Sequence, residues 1–215
     1  MVDRESHHRV ELLVRGERVG LGPARRDLVP HFQHWLNDLR VTRTLNWSFR
    51  PLTEEGAAAW LEDVFSLEGK QYLFVIYDLT TLRPLGCFGL YNIDHQHGTA
   101  NFAIILGEPD TWGKGYGTEA TQLMLAYAFD VLGLYNVQLA VYANNPGAIR
   151  AYEHAGFKRI GVRRGAHRLG RRRFDEVYMD AVADDFPPSH LHALLHPEDD
   201  SPAPPSPQPP DAPRE

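Results

Sequence analysis

Hydrophobic residues recur along the chain in short blocks, and their spacing switches between a strand-like and a helix-like period. From Val10 to Gly22 the pattern reads strand, turn, strand, with Leu12, Val14, Val19 and Leu21 set around Gly16. Leu28, Phe32, Trp35, Leu36 and Leu39 then share one helical face, with Asp27 placed to cap the first turn. Thr53 opens a second helix: Glu54 and Glu55 lie in its first turn, and Ala57, Trp60, Leu61, Val64 and Phe65 form its apolar stripe. Three strand-like runs follow at 72–77, 85–91 and 100–106, joined by short polar stretches that favour antiparallel hairpins. Ala120, Leu123, Met124, Tyr127, Ala128 and Val131 make the best-defined helical stripe, which Gly133 stops. A strand over 136–142 comes next. Asn145-Pro146-Gly147 predicts another helix, with Asn145 as N-cap, Pro146 at the first helical position and Gly156 as terminator. Two last strands, 157–162 and 174–182, flank a loop over 165–173. The order ββααβββαβαββ predicts an α/β (α+β) domain: a mixed, mostly antiparallel sheet of about seven strands with about four helices on both faces. The unit 100–106, helix, 136–142 is a β-α-β crossover, so those two strands should run parallel.

Composition narrows the classes. The chain has 215 residues, with 43% hydrophobic and 11% aromatic side chains, enough for a buried core. No apolar run is long enough to cross a membrane, and the first twenty residues lack the apolar stretch of a secretory leader. The lone cysteine, Cys87, excludes an intrachain disulfide framework and a Cys-cluster zinc site, so a cytoplasmic setting is expected. The net charge of −6 is uneven: residues 197–215 carry five acids, one base and eight of the sixteen prolines. A domain over 1–186 followed by a Pro-rich, acidic and disordered tail over 187–215 is therefore expected, with Leu191, Leu194 and Leu195 able to dock as a short turn. Without 197–215 the body is near neutral, which names no polyanionic or polycationic partner.

Chemistry concentrates in Trp112-Gly113-Lys114-Gly115-Tyr116-Gly117-Thr118, between a strand and the strongest helix. Closely spaced glycines let backbone N–H groups converge, and the helix N-terminus adds partial positive charge, which makes a phosphate cradle. The P-loop pattern GxxxxGK[ST] is absent. A dinucleotide fingerprint is formally matched by Gly115, Gly117 and Ala120. Residues 107–111 separate that loop from its strand, however, and the strand 136–142 ends in Ala143-Asn144-Asn145 with no acid to hold a ribose hydroxyl.

With this element order, Glu108 to Ala120 resembles the pyrophosphate-binding motif of the GNAT superfamily of acyl-CoA-dependent N-acyltransferases, in the branch of the ribosomal-protein N-terminal acetyltransferases. Residues 145–157 resemble the second signature of the superfamily, NxxAxxxYexxGF, and Asp175-Glu176-Val177-Tyr178-Met179 after an Arg-rich loop is typical of that branch. The resemblance covers about residues 10–186 and implies the GNAT fold, acetyl-CoA as co-substrate, no metal, and a primary amine acceptor attacked directly in a ternary complex. That acceptor is a protein N-terminus, a polyamine or a small-molecule amine. Succinyl-CoA as donor, or a catalytically idle CoA-binding regulator, are the alternatives. The fold commonly forms homodimers; a membrane or nucleic-acid partner is not expected.

The same resemblance assigns roles. Ile104, Ile105 and Leu106 would offer a backbone amide to the thioester oxygen where the strands splay. Residues Trp112, Gly113, Lys114, Gly115, Tyr116, Gly117 and Thr118 would hold the pyrophosphate, Asn145 the pantetheine arm, and Arg150 the nucleotide end. Tyr152 matches the general-acid position. Relatives often carry a Glu where this chain has Asn101, so the base is sought at Glu108, Asp94 or His95, with Asn101 holding water. Trp47, Asp94 and His95 are candidates for the acceptor pocket. A base matters because deprotonating a lysine-type amine of pKa about 10.4 at neutral pH costs up to about 5 kcal/mol. The basic stretch 158–173 holds seven arginines and one lysine but almost no interleaved aromatics, so it reads as a solvated hairpin rather than an RNA-stacking surface.

Overall fold

The computed structural model describes residues 10–46, 49–66 and 70–197. Eight strands form one open sheet: β1 (Val14–Arg15), β2 (Val19–Pro23), β3 (Tyr72–Asp78), β4 (Pro84–Asp94), β5 (Thr99–Leu106), β6 (Asn136–Tyr142), β7 (Lys158–Leu169) and β8 (Arg172–Val182). Their spatial order is β1-β2-β3-β4-β5-β6-β8-β7. Every pairing is antiparallel except β5–β6, the expected parallel crossover. Six helices accompany the sheet: α1 (Val29–Asn37), α2 (Leu39–Thr42), α3 (Glu54–Ser66), α4 (Tyr116–Ala126), α5 (Pro146–Ala155) and α6 (His190–Leu195). Among the described residues no helix is long and apolar enough to cross a membrane.

Alternation along the strands divides the core into two layers. Ala100 and Phe102 of β5 join Leu123, Met124, Val137, Tyr152, Phe157 and Val177 under α4 and α5. Ile105 packs on the opposite face, with Phe32, Trp35, Leu61, Val75 and Cys87 under α1 and α3. Burying a side chain of this size contributes about 1.5–3 kcal/mol, so both layers hold β5 firmly while its β6-facing edge is left to function.

Three local expectations change. Asp27 does not cap a helix: Arg26–Leu28 form a 3-10 turn, α1 begins at Val29 without a side-chain cap, and Asp27 pairs with Arg25. The loop expected over 165–173 is mostly strand, because β7 and β8 run on to a tight turn at Gly170, whose φ of +60° suits glycine. Of the tail expected over 187–215, residues 190–195 form α6, in which Leu191 docks as allowed while Leu194 and Leu195 are exposed. Ser189 caps α6 by accepting from the Leu191 amide, its own N–H donates to Asp130, and Leu191 is buried in the first layer. Residues 198–215 lie outside the described residues. Other caps stand as expected: Thr53 accepts from the Gly56 amide, Asn145 accepts from the Ala148 amide at 3.2 Å, and Gly156 adopts φ +110° after α5.

Candidate active site

β5 and β6 are paired only from Thr99 to Asn101 against Asn136 to Gln138, and beyond that they part. β5 stays in unbroken register with β4 up to Leu106. Alternation of the backbone groups then follows: the Ile105 carbonyl lies against Gly86 of β4, so the amides of Ile104 and Leu106 point into the gap. A cleft of about 610 Å³ runs through this opening. It is lined by Ile104, Ile105 and Leu106, by the glycine loop, by the start of α5, and by Arg40, Val41, Arg43, Thr44 and Leu45 after α1.

The glycine loop is shaped by residues remote in sequence. Gly113 and Gly115 hold φ of +73° and +88°, and a Cβ at Gly113 would meet only open space. The first-turn N–H groups of a helix have no intrahelical acceptor, and at α4 no side chain caps them. Arg18 braces the loop from the side: its Nη1 donates to the Lys114 carbonyl at 2.7 Å and its Nε to Glu119 at 3.0 Å. Glu119 Oε1 accepts the amides of Glu17, Arg18 and Val19, which fastens the β1–β2 turn to α4. Asp78 accepts from Tyr116 at 2.8 Å and from the Thr80 and Thr81 amides. The Thr81 amide first, then the Tyr116 hydroxyl, hold the Asp78 carboxyl below its ordinary value.

At the other end of the cleft stands Tyr152 of α5. Its ring packs edge-on against Phe102 and Phe157, and the residue is 8% exposed. Burial, with a smaller contribution from Tyr91, pushes its phenol well above the ordinary value, so Tyr152 stays protonated and is a hydrogen-bond donor throughout the working pH range. Asn145 uses its oxygen as the α5 cap, which leaves its NH₂ group for the cleft it lines. Its neighbour Asn144 donates to the Arg43 carbonyl at 3.5 Å, while its Oδ1 is buried and accepts from none of the described residues. An orphaned acceptor in a cleft lining fits a ligand that brings an N–H group, as a pantetheine amide does. Sequence reasoning missed Asn144, Arg18 and Glu119, since their partners come from distant turns.

Several other expected residues gather there too. Gly113, Gly115, Gly117, Thr118 and Arg150 line the cleft together with Trp112, which is 38% exposed and donates its indole N–H to the Leu106 carbonyl at 3.0 Å. Lys114 and Tyr116 do not: Lys114 is exposed beside the loop and contributes its carbonyl to Arg18, and Tyr116 turns to Asp78. Glu108 is not in the lining either. Its Oε1 accepts from Trp35 at 2.9 Å and its Oε2 from Arg83 at 3.0 Å, a tie between α1 and the end of β5 that occupies both oxygens with one bond each. Asn101 accepts from Gln138 at 2.7 Å and so marks the last rung before the strands part. Asp94 caps the β4–β5 turn by accepting from the Gln96 and His97 amides. Asp94 and His95 therefore sit at the hairpin end of β5, a strand-length of roughly 20 Å from the glycine-loop end. Trp47 lies outside the described residues.

The sequence profile of the acetyltransferase (GNAT) domain matches residues 18–158. The chain belongs to this family. It is 31% identical over 150 residues to the uncharacterized N-acetyltransferase p20 of Bacillus licheniformis, covering 68% of this chain and 82% of that protein. Spermidine N(1)-acetyltransferases match over shorter stretches. That of Escherichia coli K12 is 42% identical over 72 residues, 34% of this chain and 38% of its own length. That of Vibrio cholerae is 35% identical over 88 residues, 41% and 50%. The fold of this GNAT chain superposes on the crystal structure of a Vibrio cholerae spermidine N-acetyltransferase with CoA and spermine at a TM-score of 0.72 and 21% identity, covering 79% of this chain and 98% of that one. The GNAT chain is an acyl-CoA-dependent N-acyltransferase, with the GNAT fold of one open mixed sheet and flanking helices.

Proposed function

We propose that this GNAT chain transfers the acetyl group of acetyl-CoA to a primary amine of the polyamine type. One observation carries the reading: a single cleft joins the glycine loop, the outward amides of Ile104 and Leu106, and the protonated phenol of Tyr152. When bound, acetyl-CoA supplies an activated acyl carbon and a thiolate leaving group. The residues that would hold it are the amides of the glycine loop and α4, Asn144 and Asn145, and the edge of β5. The Ile104 and Leu106 amides offer donors for a carbonyl oxygen that gains negative charge. Tyr152 keeps its proton and offers an O–H donor to a developing thiolate. Full proton transfer is disfavoured, because burial raises the phenol further above a thiol near about 8.5. The sole cysteine takes no part: Cys87 is buried beneath α1 and α3, and burial pushes its thiol up to about 12. A covalent route through that thiol is therefore disfavoured, and direct attack by the amine is the route that the family resemblance implies.

The names of the spermidine-acetylating relatives favour a polyamine over a protein N-terminus, the acceptor that the motif resemblance also allows. The test is thiol release from acetyl-CoA in the presence of spermidine or of a peptide with a free N-terminus, with the product identified by mass. Turnover with spermidine and monoacetylated product is expected. Turnover with the peptide alone would move the chain to the N-terminal class, and release with neither would defeat the proposal.

A further inference from the structure

The gap between β5 and β6 opens on two faces, and the face opposite Tyr152 carries a buried acid that none of the roles above uses. Glu176 of β8 pairs in register with Tyr142, the last residue of β6, at the level where the strands stand apart. Its side chain is 10% exposed. Arg163 approaches Oε2 at 2.7 Å and Tyr178 donates to the same Oε2 at 3.0 Å, while no described residue donates to Oε1. Arg163 is itself 62% exposed and approaches Glu176 from the Oε2 side. The phenol of Tyr142 is raised by burial first and then by the Glu176 charge, with a smaller opposing effect of Arg163, so Glu176 is the charge this face feels more strongly at that ring. Burial and the same charge also raise Tyr91, which stands on this face opposite Asn101. Between these rings Ala103 and Ala140 are exposed and small, which leaves an open floor along the sheet from the gap to Tyr178, the register partner of Ala140.

We propose that Glu176, with Tyr91, Tyr142 and Tyr178 around it, is the acceptor-binding residue that receives the ammonium group of a cationic amine on the face of the sheet opposite the glycine loop. A largely desolvated carboxylate with one open oxygen is the group that holds an ammonium ion in charge-assisted hydrogen bonds, and the exposed Tyr91 ring adds cation–π attraction, while Tyr142 is covered by the buried His167 stacked on it at 3.8 Å. This inference rests on the N-acetyltransferase reading and adds to it the sign of the acceptor and the place where it sits.

The experiment compares wild type, Glu176→Gln and Ala140→Lys with spermidine as acceptor, and measures acetyl-CoA affinity separately. Glu176→Gln keeps the shape and the bond from Tyr178 but removes the charge. It should raise the KM for spermidine at least about tenfold, as expected for one partner of a buried charge pair, with kcat changed less than about threefold and acetyl-CoA affinity unchanged. Ala140→Lys places a fixed cation on the exposed floor. It should raise the same KM without touching Glu176, which keeps the test valid if the Gln variant folds poorly. An acceptor amine that is uncharged at the assay pH, such as a hydrazide, should show no KM change in Glu176→Gln. An unchanged spermidine KM in either folded variant overturns the proposal. If the wild type binds acetyl-CoA but acetylates no amine, the functional reading fails and this inference falls with it; that outcome is told apart from the first by the wild type alone.

Discussion

Tyr152 is the residue proposed to carry the chemistry at the smallest scale. Its placement is legible in the sequence because the pattern around it is local: Asn145, Ala148, Tyr152 and Gly156 fall within one helix and its caps, so sequence spacing fixes their geometry. Tyr152→Phe is expected to lower kcat at least about tenfold while leaving acetyl-CoA affinity unchanged, since only the donor to the leaving group is lost; steady-state kinetics beside a binding titration checks this. Glu108 shows the opposite case. It sits next to the glycine loop in sequence, yet Trp35 and Arg83, from elements far along the chain, take both its oxygens. The surroundings of Glu176 are not legible in the sequence, because its neighbours are set by the β6–β8 register, which no local pattern reveals. Gly107 is a tight position near the site: a Cβ there would overlap the Trp35 ring, which is 1% exposed. Gly107→Ala should therefore destabilise by about 1–3 kcal/mol or more, measured by urea unfolding.

At the scale of elements, the decisive feature is the unfinished β5–β6 pairing. Periodicity placed both strands and their parallel sense, because each is apolar on the core side and the connection between them is a helix. It could not show where pairing stops, since that is set by contacts between elements far apart in sequence rather than by the pattern along either strand. The β7–β8 hairpin was read short for a related reason. Its far end is an exposed edge rich in arginine, so no apolar alternation marks it as strand. The glycine loop depends on a third contact between elements, the carboxylate of Glu119 that gathers three amides of the β1–β2 turn and holds Arg18 against Lys114. Glu119→Ala should cost about 1–3 kcal/mol in stability, because those amides lose a charged acceptor. It should also weaken acetyl-CoA binding more than it lowers kcat, which thermal unfolding and a binding titration would separate.

The described residues form one open sheet with α4, α5 and the glycine loop on one face and, on the other, α1 and α3 beside a floor that reaches Glu176, the proposed acceptor side. Ties between distant parts keep the faces in register, and Asp78 is one with a pH signature. Its folded-state pKa is depressed, so its contribution to stability is present above the unfolded value, near about 3.9, and is lost as pH falls through the folded value. Urea midpoints should fall on acidification below that value, and the fall should be shallower in Asp78→Asn. The claim beneath all of this is that the splayed cleft is built for an acyl-CoA thioester. The most direct measurement is the melting temperature of the pure protein against rising acetyl-CoA, with NAD as control. A ligand bound only by the native state stabilises by about 2.7 kcal/mol at a hundred times its Kd, so the account predicts a clear, saturating rise with acetyl-CoA and none with NAD. No shift with acetyl-CoA at millimolar concentration would contradict it.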